Sequence, residues 1–395
     1  MEQSEEQEVI IPQVPGVPPA IIPDDLKKLA RVYILTPDGQ EITSKHTWVE
    51  LCRIQITGDD GEILFEKDSL MVKGRGNSTW YNFPKKPYTL KLRHQADLFG
   101  TGKSKHYVLL ANWMDRTLLR NVVAFEVARR TSLDWTPSGR FVELYLNGKH
   151  QGNYWLGEKV NVEGSKFKAD YLFSLDVSDW EETDFTIDYG FRPNSWQPGL
   201  PVEVKHPDRD DLEAAEFEKV LSDSRILLDR IGEALEAGTW KGMIDLDSFC
   251  DWYIVHELTG NMEPNHPKSC YYHYRDGMLV AGPVWDFDWY TFIPGVKGLQ
   301  IDHSLFYGNL LQHDEFKARL KLRWAALKPA FTTLGSFVDE QVEIIRFSEA
   351  VNHQQWPIGQ WINGDENLSF QEAVDRLKLA LQERISEVEI GIYSL

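Results

Sequence analysis

The sequence predicts an α+β fold in which strands dominate the first half of the chain and helices the second. Short runs rich in Val, Ile and Leu, separated by Asp-Gly turns, occupy the first part, and apolar residues recur at helical spacing from about residue 211 onward. The chain has 395 residues, of which 42% are hydrophobic. Because a single core rarely grows beyond roughly 250–300 residues, we expect two lobes or one elaborated domain.

The predicted domain organisation has three regions. Residues 1–27 are acidic and Pro-rich and are expected to form a tether, either a disordered terminus or a segment that once followed an export signal. Residues 28–160 are predicted to form a β-rich lobe with one helix. Residues 161–395 are predicted to form a helical lobe. Its first part, 161–210, is rich in Asp, Trp, Pro and Gly, which favours an irregular insertion or a substrate-facing loop over a core.

The β-rich region opens with four runs of strand-forming residues, namely LARVYILTP, WVELCRIQITG, EILFEKDSLMVKGRG and YTLKLRH. A first helix is predicted over 115–130, where Asp115 precedes apolar residues at helical spacing and can cap the first turn. Asn147 and Gly148 lie between two alternating runs and therefore predict the turn of a β-hairpin.

The second half is predicted to be mostly helical. Apolar spacing indicates helices over 211–237, 245–259, 313–349 and 369–389. Between them, CYYHY predicts a strand, and GMLVAGPVWDFDWYTF at 277–292 predicts a strand pair bounded by Gly.

Composition argues against two classes of partner. The formal net charge is -19, from 61 acidic residues against 42 Lys plus Arg, so the summed field repels nucleic acid and anionic membranes. No run of about 18 apolar residues is present, so no membrane-spanning segment is predicted. The three cysteines are far apart and lack a C-x-x-C pair, which argues against a structural zinc site or a disulfide framework.

One stretch runs against the acidic composition, because residues 71–92 hold five cations and no acid. Gly74 and Gly76 flank Arg75 and precede Asn77, a pattern that allows a sharp turn whose N–H groups can face an anion. Lys91 follows on an alternating strand, as the lysine does behind the glycine turn of protein kinases. A solvated β-turn is the alternative interpretation of this stretch. The five cations are Lys73, Arg75, Lys85, Lys86 and Lys91.

Two patterns could hold a metal ion. On a strand, Asp286 and Asp288 of WDFDW would point the same way, and Mg²⁺ or Mn²⁺ would relieve their repulsion. The alternative is that one aspartate caps a turn and the other meets an arginine. The second pattern, His266, Cys270 and His273, is interpreted as structural, because His273 and Cys270 belong to an aromatic strand.

Further candidates carry acid-base or binding roles. Within HELTGNMEPNHPKS, Glu257 and Glu263 are candidate bases, and Asn261 and Asn265 are neutral oxygen donors. Glu158 ends an apolar strand, where it is either a hinge residue near a nucleotide base or an edge-strand charge.

Lys91 also needs a candidate partner. Glu126 of the first helix could pair with it, although Arg129 or Arg130 could take that carboxylate instead. Glu143 is the competing candidate.

Taken together, six motifs in order resemble the CotH kinase family over most of residues 30–390. They are KGRGNSTW, KKPYTLKL, LLANWMDRTLLRN, LYLNGKHQGNYWLGEKV, GNMEPNHPKSCYYHY and GPVWDFDW. The likeness is greatest to the secreted or lipid-anchored branch of gut Bacteroidetes. The resemblance implies an atypical protein-kinase-like bilobal fold, ATP with Mg²⁺ or Mn²⁺, and transfer of the γ-phosphoryl group to a hydroxyl of an unknown protein.

The resemblance also implies residue roles. Asp286 is the metal aspartate, with Asp288 beside it, and Lys91 is the nucleotide lysine. Glu263 stands where many members carry the aspartate of Asn-x-Asp. The phosphate-side loop contains Gly74, Arg75, Gly76 and Asn77, and Glu158 lies at the hinge.

Three readings of the function follow. The first is an extracytoplasmic kinase that is periplasmic, secreted or held at the cell surface by a lipid anchor on its precursor. The second is a nucleotide-binding pseudokinase or surface adhesion module, motivated by Glu263 and by the 14 tryptophans, among them Trp180 and Trp196. The third is a carbohydrate-binding protein, because Trp and Tyr side chains suit sugar binding.

Overall fold

The computed structural model describes residues 29–99, 102–163, 166–177, 182–188, 199–359 and 362–395. The predicted tether at 1–27, Trp180 and Trp196 lie outside the described residues. Within them the chain mixes strands and helices, and the predicted α+β class is confirmed.

The chain divides into two compact units, and neither is continuous in sequence. The first unit contains the described residues up to Trp113, together with Ser138–Lys159 and Glu340–Gly359. The second unit contains Met114–Pro137, Val160–Asp339 and the described residues from 362 onward. The domain boundaries proposed from the sequence stay predictions.

The first unit is built on a closed barrel, which the sequence did not predict. Its strands follow the order β1-β2-β3-β4-β5-β7-β6, and β6 closes the barrel by pairing parallel with β1. Val32, Ile54, Leu90 and Leu144 belong to the buried core of this unit. The strands are β1 (Ala30–Leu35), β2 (Val49–Thr57), β3 (Ile63–Gly74), β4 (Tyr88–Ala96), β5 (Ser104–Leu110), β6 (Gly139–Leu146) and β7 (Lys149–Glu158).

The predicted hairpin turn of this unit is confirmed. Asn147 and Gly148 join β6 to β7 with φ values of 49° and 76°, the left-handed pair that a two-residue hairpin turn requires. Two short helices complete the unit, α1 (Ser78–Tyr81) and α8 (Ser348–Gln355).

The second unit contains a five-stranded antiparallel sheet in the order β12-β11-β8-β10-β9. The strands are β8 (Tyr171–Leu175), β9 (Phe185–Ile187), β10 (Leu200–His206), β11 (Cys270–Arg275) and β12 (Met278–Ala281). The irregular insertion expected at 161–210 is therefore wrong in part, since β8 and β10 are interior strands of this sheet. The sequence segments of these two strands are short and separated by turn-forming residues. The alternation of apolar and polar residues is therefore not evident in the sequence.

Helix α4 (Leu246–Thr259) is buried along nearly its whole length, and other helices of the second unit pack against it. The predicted helices over 211–237, 245–259 and 369–389 are confirmed with shifts of their ends, and the helical region predicted at 313–349 is divided among three helices, the last of which ends at Gln355. The helices from the second onward are α2 (Arg120–Arg129), α3 (Ala214–Ala237), α4 (Leu246–Thr259), α5 (Tyr307–Leu310), α6 (Asp314–Phe331), α7 (Leu334–Ile345) and α9 (Phe370–Ser394), with α7 crossing between the units.

Helix α2 begins five residues later than predicted, because Leu118 adopts a left-handed φ of 61°. Asp115 still satisfies the helix start, since its Oδ2 accepts the Arg120 backbone N–H at 2.8 Å.

The strand pair predicted at 277–292 is wrong beyond β12. From Gly282 the chain forms a loop in which Asp286, Tyr290 and Phe292 have φ values of 67°, 56° and 51°. Three left-handed residues within this short segment interrupt the extended backbone that strand pairing needs, so VWDFDWY alternates like a strand without forming one.

None of the described helices is long and apolar enough to cross a membrane.

Candidate functional site

The second unit gathers four carboxylates near the end of β12. Glu263 lies in a single 3₁₀ turn after α4, and Asp286 and Asp288 lie in the loop after β12. Glu263 and Asp288 are buried, whereas Asp286 is half-buried. Asp176, just after β8, also contributes to the electrostatic field at Glu263. Loss of the predicted strand therefore does not separate the two aspartates.

In this acidic cluster (Asp176, Glu263, Asp286 and Asp288), burial and neighbouring carboxyls raise the pKa values of Glu263 and Asp288. Burial raises the pKa of Glu263 well above its usual range, the charge of Asp286 raises it further, and Lys268 opposes the rise. Burial and the adjacent Asp286 carboxyl, which is within hydrogen-bonding reach, likewise raise the pKa of Asp288 well above its usual range. Buried carboxyl groups with raised pKa values are stabilised by a bound cation, or by a proton when no cation is bound.

The donor set of this cluster fits a hard divalent cation. Carboxylate oxygens are the ligands that Mg²⁺ and Mn²⁺ prefer, and buried carboxyls with raised pKa values gain most from a nearby positive charge. Within the described residues, three ligand atoms come within 4.8 Å of one another only at Asp59, Asp60 and Glu62, an exposed turn of the first unit. Exposed acidic turns commonly bind nothing, so burial distinguishes the cluster from this turn.

Sequence reasoning missed two polar neighbours of the cluster. Ser269, with a left-handed φ of 50°, donates its backbone N–H to Asp176 Oδ2 at 3.1 Å, and its hydroxyl lies 3.5 Å from Asp286 Oδ2. Lys268 lies with its Nζ 5.1 Å from the centre of the half-exposed Trp289 ring. Strained backbone beside clustered acids is typical of functional sites. The left-handed φ of Ser269 is not visible in the sequence.

Of the two predicted bases, only Glu263 lies in the acidic cluster. Glu257 is fully buried, and its carboxylate accepts the backbone N–H groups of Gln300 and Ile301 at 2.8 Å. Arg384 donates to the same carboxylate at 3.0 Å. With its oxygens engaged in this way, Glu257 anchors a loop to α4 and α9, and its prediction as a base is wrong.

The two predicted oxygen donors are also engaged. Asn261 Oδ1 accepts the backbone N–H of Glu263 at 3.0 Å, which fixes the turn that carries this glutamate. Asn265 donates to the carbonyl of Gln300 at 3.1 Å and accepts the hydroxyl of Ser304. Both amides therefore contribute to the local structure of this turn.

A buried ion network lies close to Asp288, because Asp115 is near enough to raise the pKa of Asp288. Arg120 is fully buried and binds Asp115 and Asp365, the latter at 2.6 Å. Its Nε also donates to the carbonyl of Thr291 at 3.1 Å. Asp115 therefore adds to the negative electrostatic field at Asp288.

In the first unit, Lys91 and Lys85 have opposite environments. Lys91 is half-buried on β4, between Met71 and His106 of the neighbouring strands, and no described residue forms a hydrogen bond or ion pair with its ammonium group. Lys85 is fully buried and donates to the carbonyls of Ala111, at 2.7 Å, and Asn153. Burial lowers the pKa of Lys85 to about 7.

Lys85 therefore does not contribute to the surface cation patch that the sequence suggested. Lys86 is also engaged, since it donates to the carbonyl of Trp80. Lys91 remains available to an anion.

The glycine turn has a local structural reason for each glycine. A Cβ at Gly74 would approach the Trp80 ring to 2.4 Å, and Gly76 has a left-handed φ of 79°. Asn77 Oδ1 accepts a hydrogen bond from Lys45, and the Arg75 backbone N–H donates to the carbonyl of Pro87 at 3.2 Å. Phosphate binding by this turn stays a prediction.

Glu158 ends β7, which lies between β5 and β6, so its interpretation as an edge-strand charge is wrong. It is buried, and its Oε2 accepts the Ser138 N–H at 3.1 Å. Its role at a hinge stays a prediction.

The candidate partners of Lys91 are engaged elsewhere. Glu126 bonds Arg129 and Arg130 at 2.8 Å, as the alternative interpretation expected. Glu143 is buried and binds His150 and Ser348, and its charge acts on Lys85.

The structural interpretation of His273 is confirmed. Its Nδ1 and Nε2 lie 3.0 Å from the Gly282 carbonyl and from Asp134 Oδ2, so neither nitrogen is left for a metal. Cys270 is buried, with its Sγ 3.3 Å from the Lys268 carbonyl.

Comparison with known proteins identifies the family. The family model described as CotH kinase protein matches residues 72–388, a span that includes Lys91, Glu158 and the whole acidic cluster. No curated protein matches the chain. Since the matched span is most of the sequence, the chain belongs to the CotH kinase family.

Proposed function

We propose that this protein is an atypical protein kinase that transfers the γ-phosphoryl group of ATP to a hydroxyl of another protein. The observation that carries the proposal is the acidic cluster, in which Glu263 and Asp288 are buried beside Asp286 with raised pKa values. Membership of the CotH kinase family supports this chemistry. The bilobal kinase-like arrangement is part of the proposal.

Asp286 and Asp288 are the residues that we propose to hold Mg²⁺ or Mn²⁺. When bound, the metal would neutralise phosphate charge during transfer. The two carboxylates lie in one loop with their carboxyl groups in contact, so they provide adjacent oxygen ligands. Asp286 is the more exposed of the two and is the one that a nucleotide-bound ion would meet first.

Glu263 is the proposed general base. It would accept the proton of the acceptor hydroxyl as the new oxygen–phosphorus bond forms and the bond from the γ-phosphorus to the bridging oxygen breaks, releasing ADP. Its raised pKa makes the ionised form a stronger base, provided that nearby positive charge keeps it ionised. Lys268 supplies part of that charge.

Lys91 is the proposed nucleotide lysine, and its support is the ammonium group without a described partner. Gly74, Arg75, Gly76 and Asn77 are proposed as the phosphate-side loop, and Glu158 as the hinge residue.

An extracytoplasmic location, a lipid anchor in the precursor and an origin in Bacteroidetes are proposed from the resemblance alone. The acceptor protein is proposed only as a class, a protein with an accessible Ser, Thr or Tyr.

A second candidate is a nucleotide-binding pseudokinase or surface interaction module. Glu263 favours it, because its carboxylate is one methylene farther from the backbone than the aspartate of Asn-x-Asp. Phosphoryl transfer depends on positioning, so such a displacement can lower the rate by orders of magnitude while nucleotide still binds.

Transfer of labelled γ-phosphate to a generic acceptor, with Mn²⁺ or Mg²⁺, tests the proposal. We expect transfer by the parent, loss in Asp286→Asn, and a fall of roughly 10²–10⁴-fold in Glu263→Gln. Asp59→Asn, an exposed acid of the first unit, is the matched control and should retain transfer. A parent that binds ATP without transfer would support the pseudokinase, and a parent that binds neither ATP nor metal would refute both.

A further inference from the structure

The loop that carries Asp286 and Asp288 has no strand partner to organise its backbone. Three of its residues, Asp286, Tyr290 and Phe292, have left-handed φ values, which cost free energy in residues other than glycine. Buried backbone groups outside regular structure still need hydrogen-bond partners. The Thr259 carbonyl accepts the Phe292 N–H at 2.8 Å, and side chains from elsewhere in the second unit supply further partners.

Asn363 supplies two of these partners from one side chain. Its Oδ1 accepts the backbone N–H of Tyr290 at 2.7 Å, and its Nδ2 donates to the carbonyl of Asp288 at 2.9 Å. The same Nδ2 donates to the carbonyl of Met114 at 3.0 Å. Asn363 is buried, so water does not compete for these bonds. A side-chain amide provides an acceptor oxygen and two donor hydrogens on separate atoms, which account for the three bonds that Asn363 forms.

Asn121 holds the loop from α2. Its Oδ1 accepts the backbone N–H of Phe287, the residue between the two aspartates, at 2.7 Å. Two asparagines from distant parts of the sequence thus bind three backbone groups of the loop, at Phe287, Asp288 and Tyr290.

The segment around Asn363 is itself fixed. Glu366 Oε1 accepts the backbone N–H groups of Asn363, at 2.6 Å, and Gly364, at 3.2 Å. Arg376 donates to the Asn363 carbonyl at 2.8 Å. Because these bonds hold its segment in place, the Asn363 side chain can fix the position of the aspartate loop.

We propose that Asn363 is a positioning residue that holds the aspartate loop in its metal-binding conformation. The inference rests on the proposed function, because it concerns the proposed metal ligands. Without Asn363, the Asp288 carbonyl and the Tyr290 N–H lose their partners, and the left-handed residues can relax towards ordinary φ values. The two carboxylates then no longer face one ion together.

Binding of Mn²⁺ alone, measured by electron paramagnetic resonance on the full chain without nucleotide, tests this role. Loss of a hydrogen bond that orients metal ligands typically weakens metal binding about 10–100-fold. We expect a loss of this size in Asn363→Ala. Asn363→Asp keeps the acceptor for Tyr290 but loses both donated bonds, and it should also bind more weakly.

Asn352→Ala is the matched control. Asn352 is equally buried, and its Oδ1 accepts the Asn153 backbone N–H at 3.2 Å in the first unit. It should lower the free energy of unfolding by an amount similar to Asn363→Ala and leave Mn²⁺ affinity unchanged. Equal loss of Mn²⁺ affinity in both variants would mean that general destabilisation, not positioning, is responsible, and would overturn the proposal.

Hydrogen exchange separates the remaining outcomes. We expect faster amide exchange at 287–292 in Asn363→Ala than in the parent, with exchange in α4 unchanged. Parent-like Mn²⁺ affinity in folded Asn363→Ala would refute the positioning role while the proposed function stands. A parent that binds no Mn²⁺ would refute the metal site itself. Faster amide exchange in Asn363→Ala would then show only that Asn363 stabilises the loop.

Discussion

Replacing Asp288 with asparagine should make the metal-free protein more stable while removing its response to metal. Asp288 is buried, and its pKa is raised by burial and by Asp286, so its ionised form opposes folding. Asparagine has nearly the same shape and no charge. It relieves the repulsion but cannot replace a carboxylate ligand.

The size of the effect follows from proton linkage. An unfolded aspartate has a pKa of about 3.9, and a raised pKa in the folded state means that the folded protein binds more protons above that pH. The free energy of unfolding therefore falls as pH rises, by about 1.4 kcal/mol per pH unit for each such group, until pH reaches the folded pKa. Glu263 and Asp288 each contribute this slope. Asp288→Asn removes one contribution and weakens the other, a change of roughly 2–3 °C in Tm per pH unit for a chain of 395 residues.

Urea unfolding in EDTA between pH 5 and pH 8 measures this slope. We expect the parent to lose stability with rising pH relative to Asp288→Asn, and saturating Mn²⁺ to restore the parent but not the variant. Asp59→Asn, an exposed acid of the first unit, should follow the parent. Parallel pH profiles for the parent and Asp288→Asn in EDTA would refute the argument that the cluster is a site of unrelieved repulsion.

Three further predictions follow from the site. Lys91→Ala should weaken ATP binding, which isothermal titration calorimetry measures. It should leave Tm unchanged, because no described residue forms a hydrogen bond or ion pair with its ammonium group. Unchanged ATP affinity would exclude Lys91 from the nucleotide site. Glu257→Gln should lower the free energy of unfolding by about 3–5 kcal/mol in urea titrations, because it leaves Arg384 buried without its ion partner. Phosphoryl transfer per folded molecule should persist. Loss of transfer in the folded variant would restore Glu257 as a candidate base. Lys85→Met should flatten the rise in stability between pH 7 and pH 10.5 in urea titrations, since the folded parent keeps Lys85 neutral there and the unfolded chain does not; an unchanged profile would contradict the lowered pKa.

Much of the fold was predictable because its signals are local. The hairpin at Asn147 and Gly148 needs left-handed backbone, which those two residue types favour, and it formed as predicted. Helices α3 and α9 carry long apolar periodicities, and α4 is a mostly apolar run between the capping residues Asp245 and Gly260. These elements depend on neighbours in the sequence, so the sequence alone is enough to place them.

The barrel was not predictable from such signals. Its closure depends on parallel pairing of β1 with β6, whose residues are more than 100 positions apart. The interior positions of β8 and β10 also depend on partners far along the chain. Pairing over such distances leaves no periodic pattern in any one segment.

The site residues likewise divide into those with a local signal in the sequence and those without one. Asp286 and Asp288 were found because two aspartates lie two positions apart, and Glu263 because it stands where the resembled family carries the aspartate of Asn-x-Asp. Glu257 looked equally suitable, and only the burial of its carboxylate against Arg384 and backbone N–H groups distinguishes it.

Asn363 was missed for a related reason. A single asparagine carries no signal in the sequence, and its importance comes from backbone groups that lie 73 and 75 residues away.

The central claim is that the acidic cluster binds a divalent metal, and anomalous diffraction tests it most directly. Crystals soaked with Mn²⁺ and a non-hydrolysable ATP analogue should show a manganese peak in contact with the carboxylates of Asp286 and Asp288. A manganese peak only at the exposed turn of Asp59, Asp60 and Glu62, or none at all, would contradict the account.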